Sequence, residues 1–181
     1  YKAIRLHAFD AQSNHLHYLL AAADPEQVPL FLDYVHANIA RQVNQLRGRT
    51  GVFWSRRGAV IAVLDDTAQI ARLRYILAQG PASNLVAAPT DWPGACSTPA
   101  LLGDMRIAAA YVSMDARRRN ARRAHPLPEA ELEHDVAIEL APLPVWADLP
   151  AAELRARHAA LVADITAEHA GNAVLGVEHL V

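Results

Sequence analysis

Residues 24 to 48 constrain the fold more than any other stretch. Asp24-Pro25 opens them as helices commonly open, with a capping carboxylate and a proline at the first helical position. Val28, Leu32, Val35, Ile39, Val43 and Leu46 then recur every three or four residues. Gly48 follows, where a left-handed residue closes a helix. A stripe of that length has to be buried against a partner. Upstream, Ile4, Leu6 and Ala8 alternate with Lys2, Arg5 and His7, so Tyr1 to Phe9 reads as a strand. Asp10 to Asn14 is a short polar connection and His15 to Ala21 a second strand, which predicts an antiparallel hairpin.

The second strand carries two metal-binding side chains. Alternate residues of an extended strand share a face, so His15 and His17 project together, about 6 to 7 Å apart, and can converge on one ion. Leu16, Tyr18 and Leu20 point the other way and form the side expected to press on a core. Nine histidines in 181 residues make one such pair unspecific by itself. A third ligand and a reacting group must come from elsewhere.

Further along, Gly51 to Arg57 reads as a short aromatic strand running into two arginines, and Ala59 to Leu64 as another strand after Gly58. Phe53 and Trp54 beside Arg56 and Arg57 suit single-stranded nucleic acid, through stacking and phosphate contact; the same rings also suit ordinary packing. Arg41 and Arg47 lie off the apolar stripe of the first helix, facing solvent or a ligand. Asp66, with Gln69 three residues on, suggests a capping box for a second helix whose stripe is Ile70, Leu73 and Leu77. Tyr75 and Gln79 fall about 140° and 180° from Ile70 on the helical wheel, beside Arg72. A phenol and a carboxamide one turn apart therefore point the same way. Gly80-Pro81 ends that helix, and a proline-punctuated segment follows to Ser97. A helical stretch is expected from about Pro99 to Arg123, a linker over His125 to Pro150, and an amphipathic helix over Ala151 to Ala170.

Length and 52% hydrophobic residues allow one domain with a sizeable core, or one domain with an appendage. The longest apolar runs, such as Ala59 to Leu64, are too short to span a bilayer, and no charged-then-apolar leader opens the sequence. Cys96 is the single cysteine, which excludes an internal disulfide and fits a cytoplasmic location. The net charge of -2 hides an asymmetry. Residues 1 to 123 hold 15 Lys+Arg against 9 Asp+Glu, whereas residues 124 to 181 hold 2 against 10. Arginine supplies 14 of the 15 cations in the first part, the residue suited to bidentate phosphate contact.

Four ordered blocks carry a resemblance: Asn14-His15-Leu16-His17; Gly51-Val52-Phe53-Trp54 with Arg56-Arg57; Tyr75-x-x-x-Gln79; and Leu85-Val86 with Pro89-x-Asp91-Trp92-Pro93. Their order and spacing resemble the single-tyrosine HUH-type transposases, in particular the REP-associated tyrosine transposases of the IS200-like family. The likeness covers roughly residues 1 to 103, with Pro142-Leu143-Pro144-Val145-Trp146 as a weaker echo. It implies an α+β fold, a ferredoxin-like antiparallel sheet with helices on one face and a helical C-terminal appendage. It also implies a strand and helix ahead of Tyr1. On this reading residues 1–103 are an N-terminally incomplete catalytic domain, 104–123 a basic helical extension, and 124–181 an acidic linker with its amphipathic helix.

The resemblance implies that His15, His17 and Gln79 bind a divalent metal, Mg or Mn, and that Tyr75 is the nucleophile. It further implies single-stranded or hairpin DNA as partner, with Arg41, Arg47, Phe53, Trp54, Arg56, Arg57 and Arg72 as DNA contacts, in a monomer or homodimer. Gly58 stands where relatives often have an aromatic residue, and Gln79-Gly80-Pro81 replaces the commoner Asn-Pro-Val. Two alternatives remain at this stage: an inactive DNA-binding domain of the same descent, and a zinc hydrolase built on His15, His17 and a carboxylate such as Asp10.

Overall fold

A computed structural model describes residues 4–178. The part of the expected first strand at residues 1–3 lies outside them. The chain is α+β, and its strands form two antiparallel pairs among the described residues. Strand β1 (Ile4–Ala11) and strand β2 (Leu16–Ala22) make the expected hairpin, with a register shift between Leu6 and Ala8 that sets His7 apart. Ala8 lies opposite Leu19, Phe9 opposite Tyr18 and Asp10 opposite His17.

The hairpin is covered on both faces. Helix α1 (Gln27–Leu46) lies over the Tyr18 face, where the Tyr18 ring meets Phe31 at 6.4 Å and His36 at 5.9 Å. Helix α2 (Asp66–Leu77) covers the other face: Leu73, Ile76 and Leu77 join Ala8 and Leu19 in the main core. The histidines therefore share their face with the deeply buried Leu19. The expected division, Leu16, Tyr18 and Leu20 toward the core with the histidines away from it, gives way: Leu19 is the buried residue of β2 and lies on the face of the histidines, while Tyr18 on the other face is partly buried under α1.

Local signals account for the helix ends. Gly48 follows the α1 cap residue Arg47 with φ +59, the left-handed closure expected of it. At the start, Asp24 Oδ1 accepts from Glu26 N in the turn that precedes α1, so the helix begins two residues later than Pro25. Asp65, not Asp66, caps α2 by accepting from Ala68 N at 2.8 Å. The capping box is absent, because Gln69 turns its oxygen to Val145 N.

After α2 come helix α3 (Gln79–Ala82), helix α4 (Thr98–Leu102), strand β3 (Arg106–Tyr111), helix α5 (Met114–Ala121), strand β4 (His134–Glu139) and helix α6 (Ala151–His169). The single helix expected over 99–123 is thus broken. Gly103 ends α4, Met105 adopts φ +62, and residues 106–111 pair with β4, so a nonlocal ladder overrides the helical preference of the alanine run. The expected linker over 125–150 contains β4, and its Leu140, Leu143 and Trp146 are buried in the same core as Leu73, Leu101, Leu154 and Ile165.

The strands expected at 51–57 and 59–64 do not form. Val60, Ile61 and Leu64 are 68%, 65% and 88% exposed. The outer edge of β1 is taken by other segments: Ala11 N donates to Ala95 O, Ser97 N to Phe9 O and Ala141 N to Leu6 O. No described helix is long and apolar enough to cross a membrane.

Candidate active site

His15 closes the turn that leads into β2, His17 lies on β2, Tyr75 sits in the last turn of α2, and Gln79 opens α3. Packing of α2 on the hairpin brings the four together. The His15 and His17 rings are 4.8 Å apart and the His17 and Tyr75 rings 5.4 Å, both edge to face. His15 Nε2 lies 3.3 Å from Gln79 Oε1. Gln79 is buried, and its Nε2 donates to Tyr75 O at 2.9 Å, which directs the amide oxygen at the histidines.

The two imidazoles and the amide oxygen are groups able to hold a cation. His15 Nδ1 lies 2.6 Å from Asn14 Oδ1, and with the proton on Nδ1 this is a donated hydrogen bond. A neutral ring then presents the Nε2 lone pair to the lone pairs of Gln79 Oε1. A cation between the two atoms would satisfy both. His17 Nε2 is buried without a hydrogen-bond partner. Burial pushes the His17 imidazole below its ordinary range, nearby His15 adds to this, and the Gln79 amide opposes it. Two nitrogen donors and an amide oxygen thus meet at one place.

Asp10, opposite His17 on β1, is 5% exposed. Its Oδ2 accepts from Gln12 Nε2 at 2.8 Å, and its Oδ1 has no partner. Burial pushes this carboxyl up, against Gln12 and the charge of His15. Among the described residues no group of three or more His, Cys, Asp or Glu side chains is gathered to hold a metal. The third donor set beside the histidine pair is the Gln79 amide.

Tyr75 is 51% exposed. Tyr18 differs, since burial against α1 pushes its phenol up to about 12. Arg72 is exposed one turn ahead of Tyr75 on α2. The other expected DNA contacts lie elsewhere. Arg41 and Arg47 belong to α1 and its cap, over the opposite face of the hairpin. Trp54 is anchored there too: its Nε1 donates to His36 O at 3.0 Å, and its ring packs on His36 and Phe53, each at 4.7 Å. Trp54 is thus a packing residue of α1, held differently from a free stacking platform. Arg56 and Arg57 follow it and are exposed. Two supports of the site were not read from the sequence: Asn14, quoted there only as part of its block with the histidines, as the neighbour of His15 Nδ1, and Gln12 as the hydrogen-bond partner of Asp10, the carboxylate weighed there as a zinc ligand.

Comparison with protein-family models, curated proteins and solved structures finds no match.

Proposed function

We propose that the chain nicks and rejoins single-stranded DNA with Tyr75 as nucleophile, as a transposase of the HUH single-tyrosine kind does. The observation that carries the reading is the convergence of His15, His17 and Gln79 beside Tyr75, groups separated by about sixty residues of sequence. His15, His17 and Gln79 are the residues to hold a divalent ion, Mg or Mn, which when bound withdraws charge from the phosphate oxygens. Asn14 keeps His15 in the Nδ1–H tautomer, so that Nε2 faces the site. Gln79 links the two halves, with its oxygen toward His15 and its nitrogen on the Tyr75 carbonyl.

In the reaction, Tyr75 Oη loses its proton and attacks phosphorus in line. A bond forms between Oη and phosphorus, the bond from phosphorus to the 3′ oxygen breaks, and that oxygen takes a proton to leave as a hydroxyl. The 5′-phosphotyrosine ester keeps the energy of the broken phosphodiester, so the reverse attack rejoins strands without a nucleotide cofactor. Exposed Arg72, Arg56 and Arg57 supply phosphate contacts. The reading places the chain with DNA in the cytoplasm, as a monomer or homodimer.

Incubation with a labelled hairpin oligonucleotide and Mn should give a covalent adduct that is lost in Tyr75→Phe and in His15→Ala/His17→Ala. An adduct that persists in Tyr75→Phe refutes the assignment. Salt-dependent DNA binding with no adduct under any metal would instead indicate a binding domain that has lost its chemistry.

A further inference from the structure

A second cluster of cations lies outside the site, on α5 and the turn after it. Ser113 caps α5 by accepting from Ala116 N at 3.0 Å. Two of its arginines have acidic partners: Arg117 pairs with Glu129, and Arg118 lies 3.9 Å from Asp115. The other three, Arg119, Arg122 and Arg123, are exposed and enter no ion pair among the described residues. Arg119 stands on the last turn of the helix, and Arg122 and Arg123 follow in the turn that closes it.

The turn that presents them is locked. Asn120 is buried, and its side chain both donates to Leu127 O and accepts from Leu127 N, each at 2.9 Å. The intervening residues 121–126 are thereby closed into a loop, with Arg122 N on Arg119 O and Arg123 N on Asn120 O tightening its start. Guanidinium groups carried on a backbone-locked turn suit a ligand that carries several negative charges at short intervals, which is the character of a phosphodiester backbone. An acidic peptide fits less well. The chain's own carboxylate-rich segment passes alongside, and although Glu129 closes on Arg117, the three arginines take no carboxylate from it.

We propose that Arg119, Arg122 and Arg123 form a nucleic-acid contact independent of base sequence, gripping consecutive phosphates while Asn120 holds the loop in shape. The contact extends the activity proposed above but does not depend on Tyr75. The test uses the full chain carrying Tyr75→Phe, so that no covalent step contributes. Its affinity for a labelled single-stranded oligonucleotide is measured by fluorescence anisotropy between about 50 and 200 mM salt. Replacing all three arginines by alanine should weaken binding and reduce the slope of log K against log salt by about 2, at roughly 0.7 per lost single-strand contact. Arg122→Ala alone should reduce it by about 0.7. Asn120→Ala, which keeps every charge, should weaken binding with a smaller change of slope.

An unchanged slope in the triple variant overturns the proposal, even if the unsubstituted chain forms an adduct at Tyr75. Absence of binding by the Tyr75→Phe chain overturns it as well. Competition by polyglutamate equal to that of DNA at matched charge overturns the choice of nucleic acid. A lost slope with no adduct in the unsubstituted chain supports this contact and removes the strand-transfer reading instead.

Discussion

Gln79 is the residue on which the proposed site turns, and its two bonds let stability and metal binding be separated. In Gln79→Ala the bond from Nε2 to Tyr75 O and the oxygen facing His15 are both lost. A neutral side-chain bond of this kind contributes about 0.5–1.5 kcal/mol net. In a chain of this length that lowers the melting temperature by about 1–6 °C, at roughly 2–4 °C per kcal/mol. The effect on metal should be larger. Loss even of a group that only supports a ligand weakens metal binding by about 10–100-fold, and loss of a direct donor should reach at least the lower bound.

Gln79→Glu reverses the balance. Its carboxylate repels the Tyr75 carbonyl oxygen, so stability stays reduced. Toward His15 and a bound cation it offers a charged acceptor, worth about 1.5–3 kcal/mol where the neutral one gives about 1. Titration calorimetry with Mn, backed by paramagnetic resonance of free Mn and by thermal melts, separates the two effects. Glutamate should recover or exceed the parent affinity while melting below it. If Gln79→Ala binds Mn as tightly as the parent chain, the amide is no ligand and the proposed metal set is wrong.

Three further outcomes follow from the packing. His158 and His7 are buried with their imidazoles pushed below the ordinary range, in each case chiefly by burial and against the backbone carbonyl that Nδ1 meets, Leu101 O or Ala141 O. The unfolded chain therefore binds more protons as pH falls through about 6.5, so their contribution is complete above that value and lost below it; a denaturation midpoint equal at pH 7.5 and pH 5 would contradict this. Leu73→Ala, at a position 1% exposed between hairpin and core, should cost about 2–5 kcal/mol in chemical denaturation, and a cost under about 1 would mean α2 is not packed as described. Gly94→Ala would set a Cβ 2.4 Å from Trp92 Nε1 and 2.9 Å from Ala11 O; displacement of Trp92 from its bond to Ala11 should cost about 1–3 kcal/mol and alter Trp fluorescence, and an unchanged spectrum would count against the contact.

What could be read from the sequence was what local chemistry decides. Helix α1 and the left-handed Gly48 depend on residues within one turn of each other, whereas the burial expected of the stripe fails, with no α1 residue buried and Leu46 78% exposed. Tyr75 and Gln79 were likewise placed together by helical spacing, although Gln79 falls in α3 after a break at Ala78. The failures lie where distant partners decide. The alanine run of β3 is helical by propensity and becomes a strand by pairing with β4; Val60 and Ile61 are strand-like by propensity and stay unpaired and exposed. Leu140 and Trp146 looked like linker because prolines surround them, yet prolines do not prevent burial. In the site, the approach of His15 to Gln79 is a tertiary fact that no spacing rule contains.

The sealed outer edge of β1 also bears on how the chain is made. Its partners are Ala95, Ser97 and Ala141, so the strand opposite the histidine strand keeps open hydrogen-bonding groups until the last of these has emerged. Synthesis runs from the N-terminus at about 5–20 residues per second, so roughly 130 further residues separate the appearance of β1 from its completion, a delay on the order of ten seconds. For that interval the nascent hairpin offers a naked edge of the kind that recruits foreign strands. A ribosome-bound chain stopped before residue 141 should accordingly aggregate or engage chaperones, and one stopped well beyond it should not.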